Sequence, residues 1–351
     1  MGFFSLDKKS RLGVDIGTAS IKVVELSKEA NRFTLINYGM IEVAAQKDTS
    51  QLSNQDIVAG IKAILQSAQI KTKDVVASIP SFPTFATTIT LPYLSEEDVA
   101  KAMPFEARKY IPVPLSEVQL DWAIVNVHKE PKEQIVSKTG KATVDVFLVA
   151  VPKQEAARYQ SIMKDAGLNL KALELENFAL IRSLIGNDLS PIVIINIGGR
   201  STSILIVENG VQRASHDYEI GGFEITKSIA RSLGITVARA EELKRSFGIR
   251  DSENNIVRQA MSSLIDLMVL EVNKTIHNYE DQQKSKIAKI LLVGGLANMI
   301  DFQSYFGQKL GREVSLGNPL ARVVIPAGIE RLRGEINSTL VVSIGLAMRE
   351  I

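Results

Sequence analysis

Cysteine is absent from this chain of 351 residues, which at once excludes disulfide frameworks, cysteine-based zinc sites and thiol nucleophiles. Histidine is scarce: His128, His216 and His277 are the only three, far apart and without metal-ligand spacing. No apolar run approaches the roughly 20 residues that a spanning helix needs. The start, MGFFSLDKKS, has too short an apolar segment and no cleavage site for a signal peptide. Leu6 also stands where an acylation signal needs Ser or Thr. Neither sign of charge dominates, because 41 Lys and Arg face 39 Asp and Glu. A nucleic-acid ligand would require a concentrated basic face. The expectation is a soluble, cytoplasmic protein with no transmembrane segment and no nucleic-acid partner.

What is present is enough apolar material, 45% of residues, for a sizeable core and for more than one domain. The stretch RLGVDIGTASIKVVELS, Arg11 to Ser27, runs as an apolar strand to Asp15, breaks at Gly17 and resumes after three small residues. Read alone it has two meanings. It is a plain hairpin turned by ordinary turn residues, or a phosphate clamp of backbone N–H groups with Asp15 beside it to hold a metal through water.

Further along, NRFTLINYGMIEV alternates as a third antiparallel strand. NQDIVAGIKAILQSAQI places Ile57, Ile61, Ile64, Leu65 and Ala68 on one helical face, and DVVASIP is a short buried strand. From Phe82 the character changes. TFATTITLPYL predicts a strand, and Ser95 with Asp98 caps a helix to about Tyr110 that Pro104 should kink or shorten. IPVPLSEVQLDWAIVNV and TVDVFLVAVPK predict paired strands around a polar hairpin loop, His128 to Ala142, and QEAARYQSIMKDAGL predicts a helix stopped at Gly167. LELENFALIRSLI, Leu173 to Ile185, reads as helix. PIVIINIGGRSTSILIVENG is again strand, turn, strand. A helical region follows from Phe223, its longest helix spanning about Asn254 to Asp281. LLVGGLANM is a strand, a glycine turn and a helix start, and TLVVSIGLAMREI ends the chain as strand edge or helix.

An internal repeat emerges. LGVDIGTASIKVVEL and VIINIGGRSTSILIV share an apolar strand, an Asp or Asn, Ile-Gly, a small polar turn and a second apolar strand. Asp15 corresponds to Asn196 and Gly17 to Gly198. Two such turns in two similar halves suggest jaws closing on one ligand, with Gly294 and Gly295 allowing close backbone approach at a third turn. None of these is a P-loop or a G-x-G-x-x-G fingerprint.

With these motifs in view, the sequence resembles the actin-like ATPase superfamily over essentially its whole length. DIGTASIK is similar to its first phosphate loop, NIGGRSTS to its second, VGGLANM to its adenosine loop, and ELENFALIRSL and SIGLAMRE to its two interlobe helices. Within that superfamily the segment EEDVAKAMPFEARKYIPVPLSEVQLDW is most similar to the inserted module of the PilM family of type IV pilus components.

The resemblance implies an α/β, actin-like (ribonuclease-H-like) fold of two lobes with a nucleotide cleft and an inserted αβ module. The first lobe would comprise 1–81 with interlobe helices in 171–191 and 335–351, and the insert 82–170. The second lobe would comprise 192–222 and 286–334, with a helical subdomain at 223–285. It implies ATP and magnesium as ligands. Asp15 would hold the metal through water. Backbone groups of Gly17, Thr18, Ala19 and Ser20, with Lys22, would meet the phosphates, and Gly198, Gly199, Ser201 and Thr202 would close on them. Gly222, Gly294, Gly295 and Asn298 would border the nucleoside, with Glu241 and Lys244 near base and ribose. Asn196 departs from the superfamily's usual Asp and removes a charge there. Glu174 or Glu176 would polarise a water, or else simply favour the start of a helix.

The implied function is a nucleotide-dependent scaffold at the inner face of the cytoplasmic membrane. Its partner would be the N-terminal cytoplasmic peptide of a PilN-type single-pass protein, alongside other pilus components, and self-association is compatible with it. The peptide would cross a groove between the first lobe and the insert, near Thr84 to Leu91 and Tyr110 to Val113. The rivals are an FtsA-like filament protein, against which the ending GLAMREI counts, and a small-metabolite kinase.

Overall fold

The structure is a computed structural model that describes residues 9–30, 32–42, 52–80, 84–92, 95–128, 143–250, 256–326 and 333–350. The chain forms two compact units. One comprises the residues up to Ile79 together with those from Ile162 onward, and the other comprises Pro80–Ser161.

The larger unit opens with a meander. Strands β1 (Lys9–Ile16), β2 (Ser20–Glu29) and β3 (Arg32–Glu42) are antiparallel neighbours. Leu12, Val14, Val23 and Val24 are fully buried; Val23 and Val24 are neighbours whose side chains point to opposite faces, so the sheet is covered on both sides. Helix α1 (Asn54–Ser67) begins at Ser53, whose hydroxyl accepts from the Asp56 amide at 3.1 Å. Its buried face is Ile57, Ile61, Ile64 and Leu65, while Ala68, expected on the same face, is the half-buried residue that caps the helix. Strand β4 (Asp74–Ile79) then lies parallel to β1.

The smaller unit holds β5 (Phe85–Pro92), α2 (Glu96–Ala107), β6 (Val118–His128) and β7 (Thr143–Pro152), and it contributes the first turns of α3 (Lys153–Asp165). Its strands form an antiparallel sheet in the order β5-β7-β6. Pro104 sits inside α2, which ends at Ala107 rather than near Tyr110; two turn hydrogen bonds carry the chain on to Lys109 and Tyr110. The expected hairpin loop lies, from residue 129 to 142, outside the described residues.

Back in the larger unit, β8 (Asn169–Leu175) precedes α4 (Glu176–Leu184). Leu173 to Leu175, read from sequence as helix, are strand because they pair in parallel with Ala77 to Ile79 of β4. Tertiary pairing overrides helix propensity there. Strands β9 (Ile192–Ile197), β10 (Thr202–Glu208) and β11 (Val211–Tyr218) form a second meander. Helices α5 (Gly222–Leu233), α6 (Val237–Phe247) and α7 (Ile256–Gln283) follow, then β12 (Lys289–Val293), α8 (Phe302–Leu310), β13 (Ser315–Leu316), β14 (Val323–Val324), α9 (Arg333–Asn337) and α10 (Val341–Ala347).

The two sheets of the larger unit run β14-β3-β2-β1-β4-β8 and β11-β10-β9-β12-β13. Apart from β14, they share one order: a three-stranded meander whose first strand has two parallel strands added beside it. The internal repeat is therefore a repeat of topology. Helices α4 and α10 lie in a common apolar cluster with residues of both sheets, including Val76, Ala179, Leu180, Ile194, Val293 and Leu346. Their approach is very close. A Cβ on Gly345 would sit 2.0 Å from the Ala179 carbonyl oxygen, and one on Gly13 would sit 2.0 Å from the Ser343 carbonyl oxygen.

Candidate functional site

The two glycine turns are copies of each other. The Gly17 amide donates to the Ser20 carbonyl at 3.0 Å, and the Gly198 amide donates to the Ser201 carbonyl at 2.9 Å. These bonds close the turns and leave Thr18 and Ala19 at one exposed tip. The tips face one another, since a Cβ on Gly199 would lie 2.6 Å from Ala19 Cβ and 3.0 Å from Thr18 Oγ1. Residues far apart in sequence thus meet at one junction. Within it, Gly222 donates to the Gly198 carbonyl at 3.0 Å and Phe223 to the Gly199 carbonyl at 2.7 Å, so the start of α5 is fastened to the second turn.

Charge gathers behind the first turn. Asp15, nearly buried, accepts from Lys22 Nζ at 3.1 Å and from the Ser78 hydroxyl at 3.0 Å. Glu176, at the first position of α4, has its pKa pushed up to about 8 by burial and then by the negative charges of Asp15 and Asp217, with Lys22 opposing. A carboxyl with that pKa is mostly protonated at neutral pH, which leaves two acids, Asp15 and Asp217, around it against the one ammonium. A divalent cation held beside these groups would favour ionisation of Glu176. Among the described residues, no group of three or more acids or histidines converges to hold a metal unaided.

Glu174, the other acid considered for catalysis, turns elsewhere. Arg182 clasps it through both Nη atoms, one at 2.8 Å. Thr202, expected near phosphate, is buried, and its hydroxyl donates to the Ile220 carbonyl at 2.7 Å. Asn196 aims its side-chain oxygen at the third glycine turn, within 2.9 Å of where a Cβ on Gly294 would stand. Gly294 itself has φ +93° and a Cβ there would be 2.2 Å from the Ile197 carbonyl oxygen, so only glycine fits. Gly295 faces open space. Asn298 donates to Thr339 at 2.9 Å and accepts from Ser338, which ties this turn to the residues before α10.

Glu241 and Lys244 pair at 2.6 Å. Lys244 also donates to the Gly222 carbonyl at 3.2 Å and to Thr226 at 2.8 Å. Burial lowers the Lys244 pKa against the pull of Glu241. Burial opposes ionisation of Glu241, yet Lys244, Thr226 and Arg245 together hold its pKa below the usual value. Arg245 extends the chain of charges to Glu42 at the end of β3, at 2.9 Å.

Sequence reading missed Ser78, Asp217, Arg245 and Glu42. Ser78 alone left a signal, as the one polar residue among the apolar positions of β4. In the smaller unit, Ile89, Leu91 and Ile111, within the segments expected to meet a peptide, are buried in that unit's own core. Phe105 and Tyr110 are exposed.

Paired ribonuclease-H-like sheets with opposed glycine turns define an actin-like protein, and solved structures agree with that fold. Ethanolamine utilization protein EutJ from Carboxydothermus hydrogenoformans has a TM-score of 0.58 at 19% identity, covering 98% of this chain and 90% of that one. MreB 5 of Spiroplasma citri bound to AMPPNP has a TM-score of 0.52 at 14% identity, covering 96% of this chain and 94% of that one. A PilM-PilN type IV pilus biogenesis complex has a TM-score of 0.82 at 23% identity, covering 97% of this chain and 98% of that one. The family model for the type IV pilus assembly protein PilM matches residues 13–351, and the chain belongs to that family. Among the described residues, no helix is long and apolar enough to cross a membrane.

Proposed function

We infer that this PilM-family chain is an ATP- and magnesium-binding scaffold whose lobes respond to nucleotide and which holds the N-terminal cytoplasmic peptide of a PilN-type membrane protein. The observation that carries the nucleotide reading is the meeting of Gly199 with Thr18 and Ala19 above the Asp15, Lys22, Glu176 and Asp217 charges. Bound magnesium would neutralise phosphate charge. Asp15 would hold it through water, Lys22 would contact phosphate oxygens, and the amides of Thr18 and Ala19 would point at them from the turn. The ends of Glu241 and Lys244 would border the nucleoside. Asn196, without a carboxylate, makes tight binding with slow or no turnover the expected behaviour. The AMPPNP of the MreB relative supports nucleotide at this fold.

The PilN component of the similar complex supports the partner, and a PilN tail would bring this chain to the inner face of the cytoplasmic membrane. The smaller unit offers an edge strand, β5, with Ala86, Thr88 and Thr90 outward, suited to receiving an extended peptide by strand addition. The test is calorimetric titration with ATP and magnesium, repeated with a synthetic PilN-type N-terminal peptide present. Nucleotide binding with a peptide affinity that shifts at least threefold on loading supports the switchable scaffold. Peptide binding that ignores nucleotide reduces the reading to a passive scaffold, and absence of both interactions removes it.

A further inference from the structure

A second cleft, of about 420 Å³, opens beside β8, α4 and the residues after α10, and Glu174, Arg182, Arg322, Arg349 and Glu350 line it. Its charges do not balance. Glu174, with a side chain only 6% exposed, is already matched by Arg182, which also donates to the Gly345 carbonyl at 2.8 Å. Glu350 on the rim is matched by Lys28. Arg322 donates to the Arg182 carbonyl, and Arg349 comes no nearer to an acid than 3.7 Å, at Glu174. Arg11, whose guanidinium donates to the Arg349 carbonyl, adds a further cation alongside. Among the described residues, the guanidiniums of Arg322 and Arg349 therefore border one cleft with neither holding a carboxylate of its own.

A guanidinium carries five donors in a rigid fork that fits phosphate and carboxylate oxygens two at a time. Two such forks facing one cleft repel each other until an anion lies between them. The cleft lies within the usual size range of small-ligand sites, and its apolar lining is limited to Phe33 and Met348, too little to anchor a peptide by side-chain burial.

We propose that this cleft binds a small phosphate-type oxyanion, grasped by Arg322 and Arg349 with the Arg182–Glu174 pair as its floor. Arg182 belongs to α4, Arg322 to the turn before β14, and Arg349 follows α10. The anion would therefore clamp both helices that pack between the two sheets. The proposal is independent of nucleotide at the glycine turns.

The test is calorimetric titration of inorganic pyrophosphate into the full chain in the absence of magnesium, repeated on Arg349→Gln, on Arg322→Gln/Arg349→Gln and on Lys22→Gln. Binding by the unaltered chain should weaken at least tenfold in Arg349→Gln and disappear in the double variant, while Lys22→Gln stays within twofold. Arg349→Gln keeps a melting temperature near the parent's, because its side chain makes no short ion pair. A phosphate on a lipid would use the same chemistry. Vesicles of phosphatidylcholine with phosphatidic acid that sediment the parent chain but not Arg349→Gln, with pyrophosphate competing, would assign the site to a headgroup. Soluble binding without vesicle binding would assign it to a free ligand. If the parent binds neither probe, or Arg349→Gln binds as the parent does, or Lys22→Gln alone abolishes binding, the proposal is overturned.

Discussion

Replacing Asp15 by Asn is the sharpest test of the cleft, because it removes a charge and very little else. The side chain is 5% exposed, 3.1 Å from Lys22 Nζ, and accepts the Ser78 hydroxyl at 3.0 Å. Asparagine keeps the shape and an oxygen for Ser78. Lys22 loses its counter-charge, at a cost of about 1–2 kcal/mol. Part of that is offset, since Asp15 also repels Glu176, and Glu176 becomes easier to ionise once the repulsion is gone. The expected net change is about 1 kcal/mol, a fall of roughly 2–4 °C in melting temperature for a unit of this size.

Metal-dependent nucleotide binding should respond much more. A charge-assisted bond to metal-bound water contributes about 1.5–3 kcal/mol, or roughly ten- to over a hundredfold in affinity. The assay is calorimetry with ATP in magnesium and again in chelator, for both chains. The gain in affinity from magnesium should collapse at least tenfold in the variant. Affinity without magnesium should be equal or higher, because an anion beside the phosphates has been removed. A magnesium-dependent gain equal in both chains would refute the assignment of Asp15 and move the metal elsewhere.

Other expectations are more local. Gly294→Ala should lower stability by about 2–3 kcal/mol, since φ is +93° and the new methyl would stand 2.2 Å from the Ile197 carbonyl oxygen, whereas Gly295→Ala, facing open space, should cost under about 1 kcal/mol; urea unfolding of the two decides it. Glu280, its side chain 1% exposed, has its pKa held down to about 2 mainly by hydrogen bonds from Arg312. A carboxyl with a depressed folded pKa contributes stability that is complete above its unfolded value of 4.5 and is lost as pH falls from there towards 2. Glu280→Gln should therefore cost about 2 kcal/mol at neutral pH and flatten that acid limb in thermal melts; an unchanged limb would deny Glu280 its part. The Arg245–Glu42 pair is more than half exposed on both sides, so Glu42→Gln should speed ATP release by no more than about fivefold, an effect that high salt should erase in stopped-flow release measurements.

Most of the fold was legible in the sequence because its signals are local. Continuous apolar runs marked β1, β2, β9 and β10, whose residues are buried nearly throughout, the helical spacing of Ile57, Ile61, Ile64 and Leu65 marked α1, and the shared Ile-Gly turns marked the repeat. The legible part failed where pairing overrode a local pattern. Leu173 to Leu175 look helical until β4 captures them as strand, and the same junction sends Glu174 and Glu176 to different surroundings. Glu174 lies in the strand and turns to Arg182; Glu176, two residues on, opens the helix and feels Asp15.

The sequence by itself determined the first meander, the first two strands of the second, their glycine turns and the family to which the chain belongs, since apolar runs, turn chemistry and motif order are properties of neighbouring residues; β11, the third strand of the second meander, it did not mark. Only the tertiary structure decided that Ser78 joins Asp15, that Asp15 and Asp217 both act on Glu176, that Gly199 meets Ala19, and that three arginines from separate elements share one cleft. Electrostatic and steric contacts act through space, over a few ångströms. Which distant residues come within that reach is set by how the sheets and helices pack.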